Sequence, residues 1–228
     1  MTDQTVRLIQ NITTFFTISL GLAALFFAFK TSSSAGMTAM LLLGFVTLGT
    51  GYDFVSHIVG RGVTEPRPSL EIYAKFNFAA LCFGIPFTSL AASFVVAEIA
   101  PEGLNATLVT YWAELLFGSL LFGAMFFFAR YKTYNMHGGI EYTLDKSHGY
   151  TRAIFITRRV LLALALVLSL VAVWEGLGSS MSWWTIVYGV LFIATVPLHI
   201  LHRPIASMLS EAATLLVLFY GSYRVFVA

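Results

Sequence analysis

Seven apolar runs, each about 20 residues long and separated by short polar breaks, constrain this chain more than any other feature. A helix needs about that length to cross the hydrocarbon core. Within lipid, every backbone N–H and C=O must also be satisfied inside the segment, which leaves a helix as the natural solution for a run of this kind. The runs fall at about 8–29, 37–60, 76–98, 107–130, 154–174, 183–201 and 205–226. Composition agrees: 11% of residues are charged, against about 25% in a soluble domain. The predicted fold is an all-α polytopic membrane protein with seven transmembrane helices, forming a single domain over residues 1–228. The first run is long for a signal-peptide core and has no small-residue cleavage site after it.

The breaks carry turn chemistry. Thr31–Gly36 is Ser-rich, Thr64–Ser69 holds two prolines, Pro101–Asn105 and Gly176–Ser182 are short and polar, and Arg203–Pro204 makes the last turn tight. The one long connection, at about 131–153, is mixed in charge and contains Gly and Tyr. Basic residues orient the bundle. With seven spans, eleven of the thirteen Lys and Arg fall on the side of the N-terminus, and only Lys30 and Arg224 on the other. The N-terminus and the 131–153 loop are therefore expected in the cytoplasm and the C-terminus outside. The expected location is a cytoplasmic membrane, specifically a bacterial inner membrane. Trp112, Trp174, Trp183 and Trp184 lie near the outer ends of their segments, where interfacial aromatics belong.

Charges inside spans are costly and mark candidate functional positions. In segment two, Gly49, Asp53, Ser56, His57 and Gly60 share one helical face, and Asp53 and His57 are one turn apart. A carboxylate beside an imidazole suits proton handling. In segment seven, Ser207, Ser210, Glu211, Thr214 and Gly221 share a face. Gln10, Thr13, Thr14 and Thr17 form a polar band in segment one, and Asn77 stands near the cytoplasmic end of segment three. Glu114 is the one acid in the outer half of segment four. Segment five is almost wholly apolar from Val160 to Val173 and is expected to face lipid.

These positions suit a transporter or channel. Protons, cations or a small solute would pass through a path lined by Asp53, His57, Glu114 and Glu211, because buried acids without matching bases mark cation routes. A second reading is a membrane-embedded metal-dependent enzyme, a lipid hydrolase or a redox protein. Asp53, His57, His199 and His202 would then hold a metal near the cytoplasmic face, or His57 and His199 a haem. The layout resembles, in arrangement only, the ceramidase and adiponectin-receptor superfamily, which has seven spans, a late histidine in segment two and a cytoplasmic histidine pair. It departs from that superfamily in placing His199-x-x-His202 ahead of segment seven, and in having Asn77 nearest to where segment three should carry an acid. A third reading is an accessory subunit of a larger membrane complex or a homo-oligomer, with the buried polar groups serving assembly. Other classes are excluded. A net charge of +2 without a basic aromatic patch gives no nucleic-acid surface. Segments five to seven hold no lysine for a retinal Schiff base, and Gly-rich phosphate loops, GxSxG and HExxH are lacking. Cys82, the sole cysteine, allows no intrachain disulfide.

Overall fold

The computed structural model describes residues 3–59, 65–136, 139–200 and 204–228. Eight α-helices account for most of them: α1 Asp3–Ala28, α2 Ser34–Val59, α3 Pro68–Ile99, α4 Leu104–Thr110, α5 Trp112–Ala124, α6 Gly149–Gly176, α7 Ser182–Ile200 and α8 Pro204–Phe226. A 3-10 turn at Met125–Phe128 follows α5, and strands β1 Tyr131–Met136 and β2 Gly139–Leu144 form a hairpin before α6.

Among the described residues four helices are long and apolar enough to cross a membrane, over Gln4–Ala28, Ser34–Val55, Gly149–Gly176 and Ile205–Phe226. A fifth arises if Leu104–Thr110 and Trp112–Phe128, bent by 64°, make one broken span. Pro86–Ile99 and Ser182–Thr195 are shorter apolar helices. The surface is compatible with a membrane setting. Phe15, Phe29, Phe128 and Trp174 are each more than three-quarters exposed, as is compatible with lipid contact. In α6 only 17% of the apolar window is buried, the smallest share of the four.

Three features differ from the sequence expectation. The run at 107–130 is not one straight helix, because Tyr111 leaves helical geometry at φ −101°, ψ 20° and the axis turns there. The 131–153 connection is not a plain loop. Ile140, Tyr142 and Leu144 alternate along β2, Tyr131 pairs with Leu144 and Met136 with Gly139, and Ile140 and Leu144 are buried. Leu144 joins Phe126, Ala129 and Ile154 in a small core of its own, under the end of the bundle. The third helix also begins earlier than its apolar run: Arg67 is extended, Pro68 opens the helix and Glu71 sits in the first turn.

Hydrophobic transfer does not hold helices together in lipid, so close packing and hydrogen bonds must. Along α1 and α2, glycines and large aliphatics alternate across the contact. Gly21 receives Leu48, Gly44 receives Leu25 and Gly51 receives Ile18, and a Cβ on any of these glycines would come within 2.5 to 2.9 Å of its partner. Between α7 and α8, the fully buried Trp184 stacks on Tyr188 at 5.7 Å and donates its Nε1–H to the Val217 carbonyl at 2.6 Å. The indole lies directly on Gly221, where a Cβ would overlap it. Helix α8 packs against α1, α2, α3 and α7. Hydroxyls within spans return to the carbonyl one turn back, as Thr17 does to Thr13, Thr47 to Leu43 and Thr214 to Ser210. That bond makes Ser and Thr tolerable in lipid.

Candidate functional site

Interhelical registers fix the height of each polar group. The Ile18–Gly51, Gly21–Leu48 and Leu25–Gly44 contacts make α1 and α2 antiparallel. Continued downward, this register puts Thr17 level with Tyr52 and Thr14 level with Val55. Across the next interface Val46 meets Gly84, Gly49 meets Ala80 and Asp53 meets Asn77. Phe226 lies on Gly36, which carries Glu211 to the height of Gly51. Phe27 meets Phe219 and Tyr223, which carries Thr17 to the height of Glu211 as well. Four helices thus bring Thr13, Thr14, Thr17, Asp53, Asn77, Ser207 and Glu211 into one polar layer about two turns deep, with Gln10 at its lower edge.

Within the layer Asn77 donates its side-chain N–H to Asp53 Oδ1 at 2.6 Å, joining α2 to α3. Ser207 donates to Glu211 Oε1 at 2.9 Å, one turn away on α8. Tyr73 donates to the Tyr52 carbonyl at 2.8 Å and stacks on the Tyr52 ring at 4.4 Å, which closes the α2–α3 contact beside Asp53. Among the described residues, three buried oxygens of the layer have no hydrogen-bond partner, Gln10 Oε1, Thr14 Oγ1 and Asn77 Oδ1. Each belongs to a residue more than nine-tenths buried. An unsatisfied buried polar atom costs about 1–3 kcal/mol, so such positions are normally filled by water or a ligand. Lys75, two residues from Asn77, is committed elsewhere: it pairs with Glu71 at 2.9 Å and lies over the Tyr131 ring.

The sequence candidates separate accordingly. Asp53 and Glu211 share the layer. Glu114 does not: it is exposed in the first turn of α5. The Phe76–Phe127 and Phe78–Phe126 ring contacts set the α3–α5 register and put Glu114 level with about Leu90, far up α3 from Asn77. His57 and His199 fall within α2 and α7, but their side chains, like the whole of His202, lie outside the described residues. Among the described residues, no three His, Cys, Asp or Glu side chains gather as metal ligands would.

Two polar constructions were not read from the sequence. Ser89, Ser169 and Tyr188 form a buried chain with links of 3.1 Å, tying α3, α6 and α7 together. Ser169 is the single hydroxyl in the apolar stretch of α6, and that isolation was the available signal. Glu175, at the end of α6, accepts the Leu104 amide at 2.6 Å, the Asn105 amide at 3.1 Å and the Asn105 side-chain N–H at 2.6 Å. It therefore caps α4, which has no capping side chain of its own.

No protein-family model matches the chain, and no curated protein matches it either.

Proposed function

We propose that the protein is an integral membrane transporter or channel that moves protons, cations or a small solute through the layer around Asp53 and Glu211. The observation that carries this reading is the grouping, within about two turns of a four-helix cluster, of two carboxylates with three buried oxygens that have no partner among the described residues. Asn105 Oδ1 and Ser222 Oγ are also without a partner among the described residues, but each stands alone, whereas the layer gathers three such oxygens near two carboxylates. A permeation layer leaves acceptors for water and for the passing cation. In this scheme Asp53 and Glu211 hold the cation or proton, Asn77 positions Asp53, His57 lies one turn from Asp53 as a proton partner, and Glu114 serves a separate outer station. The helices form seven spans with the N-terminus cytoplasmic and the C-terminus outside, in a bacterial inner membrane. The basic-residue asymmetry supports that orientation; Trp184, expected at the interface, is instead fully buried between α7 and α8.

The test is proton or cation flux into liposomes that contain the purified protein. Asp53→Asn and Glu211→Gln are each expected to cut flux by at least about tenfold, the equivalent of roughly 1.4 kcal/mol, without changing the gel-filtration profile. Wild-type flux equal to that of empty liposomes would overturn the reading. Elemental analysis of the same sample separates the competing enzyme: a stoichiometric metal, lost in His57→Ala, would move Asp53 into a metal centre.

A further inference from the structure

The far end of the bundle holds a cavity of about 440 Å³, where α3 ends, α7 begins and α8 ends. Its lining includes Glu98, Ser180, Met181, Trp183, Tyr220 and Arg224. This size falls within the range of small-molecule sites, about 300–1,000 Å³. Neither Glu98 nor Arg224 makes an ion pair among the described residues, so one acid and one base face the same space uncommitted. Trp183 and Tyr220 meet at 5.6 Å with their planes tilted by 56°. They are 52% and 43% exposed, which leaves ring surface open to an occupant.

We propose that this cavity binds the headgroup of a zwitterionic, ethanolamine-type phospholipid. A guanidinium is the side chain best matched to phosphate, through its forked donors. The ammonium would rest on the Trp183 and Tyr220 faces by cation–π attraction, with Glu98 as counter-charge. The complementary pair selects a ligand carrying both charges over an anionic one. The exposed apolar stripes identify the source as lipid rather than a soluble zwitterion. From Trp183 the stripe continues through Val187 and Val190 along α7, and from Tyr220 through Leu216 and Leu209 along α8. Both start at the cavity wall and run toward the bundle centre, as a path for acyl chains would. Interfacial Trp and Tyr at headgroup depth suit the same placement.

The experiment is native mass spectrometry of the whole protein released from nanodiscs of equal phosphatidylethanolamine and phosphatidylglycerol, with thermal melting in detergent as a second readout. Wild type is expected to retain phosphatidylethanolamine about tenfold over phosphatidylglycerol, a difference of about 1.4 kcal/mol. Arg224→Gln and Trp183→Leu should each abolish retention. Glu98→Gln should shift preference toward phosphatidylglycerol while still binding lipid, an outcome that a misfolded variant cannot give. Short-chain phosphatidylethanolamine should raise the melting temperature of wild type and not of Arg224→Gln. Equal retention of the two lipids by wild type, or unchanged retention in Arg224→Gln, would overturn the proposal. So would stabilisation by free phosphoethanolamine at the same concentration as the lipid, which would assign the cavity to a soluble zwitterion.

Discussion

Replacing Gly221 with Ala tests the packing of α7 on α8 at its tightest point. The new Cβ would meet Cε2, Nε1 and Cζ2 of Trp184. The indole cannot swing away easily, since it is fully buried, stacked on Tyr188 and hydrogen-bonded to Val217. Overpacking costs about 1–3 kcal/mol, and this constrained ring belongs at the upper end. Removing a helix glycine returns up to about 1 kcal/mol, so the expected net loss is roughly 2 kcal/mol. Trp184→Phe loses the hydrogen bond, about 1 kcal/mol, and leaves a small void, but it removes the ring atoms that obstruct residue 221. The double variant should therefore be up to about 1 kcal/mol more stable than Trp184→Phe alone, a coupling of about 3 kcal/mol between neighbours, where independent sites would add within about 0.5 kcal/mol. Reversible unfolding in mixed micelles of rising SDS fraction, followed by circular dichroism, measures all four corners of the cycle. Strict additivity, or a stabilising Gly221→Ala, would refute the close approach.

Glu175→Ala removes the cap of α4 and orphans the buried Asn105 side chain, with an expected loss of about 2–3 kcal/mol from cap and desolvation together. Amide exchange at residues 104–110 should quicken selectively, and unchanged exchange there would refute the capping role. Ser169→Ala cuts the Ser89–Ser169–Tyr188 chain and should cost about 0.6–1.7 kcal/mol, the measured scale for hydrogen bonds between membrane helices. The same SDS titration reads this, and a value of zero would mean the chain is not formed. Outside the spans, the Ser147 hydroxyl and amide hold the Asp145 carboxyl below its usual value of 3.8. A depressed acid stabilises its turn at pH above the unfolded value and loses that contribution as pH falls through the lower, folded one. Exchange protection of the Ser147 amide should therefore persist at pH 5 (about one unit above the reference carboxylate range) and vanish in stronger acid, whereas Asp145→Asn should show no such loss.

The site was legible in part. Asp53 and Glu211 stood out because an acid inside an apolar run needs an explanation wherever the helix packs. Their shared height, the Asn77 bond and the partnerless Gln10 and Thr14 oxygens were not legible as one layer. They depend on which residues of α1, α2, α3 and α8 lie opposite one another. Glu114 was placed by sequence in the outer half, apart from Asp53, but its exposure on α5 was not legible.

What the sequence determined by itself was local: where the apolar runs lie, that most of them form helices, and that those helices suit a membrane. Length and hydropathy act within one segment, and a backbone in lipid has few other ways to satisfy its hydrogen bonds. The tertiary structure decided what no single segment encodes. Thr110-Tyr111-Trp112 contains neither glycine nor proline, yet the axis breaks there. The break accompanies a short α4 whose N-terminus is fastened to Glu175, some 70 residues further along the chain. Heights across the bundle were likewise set by pairs such as Gly51 with Ile18 and Gly221 with Trp184. Which ridge enters which groove is a property of two surfaces together, and neither helix carries it alone.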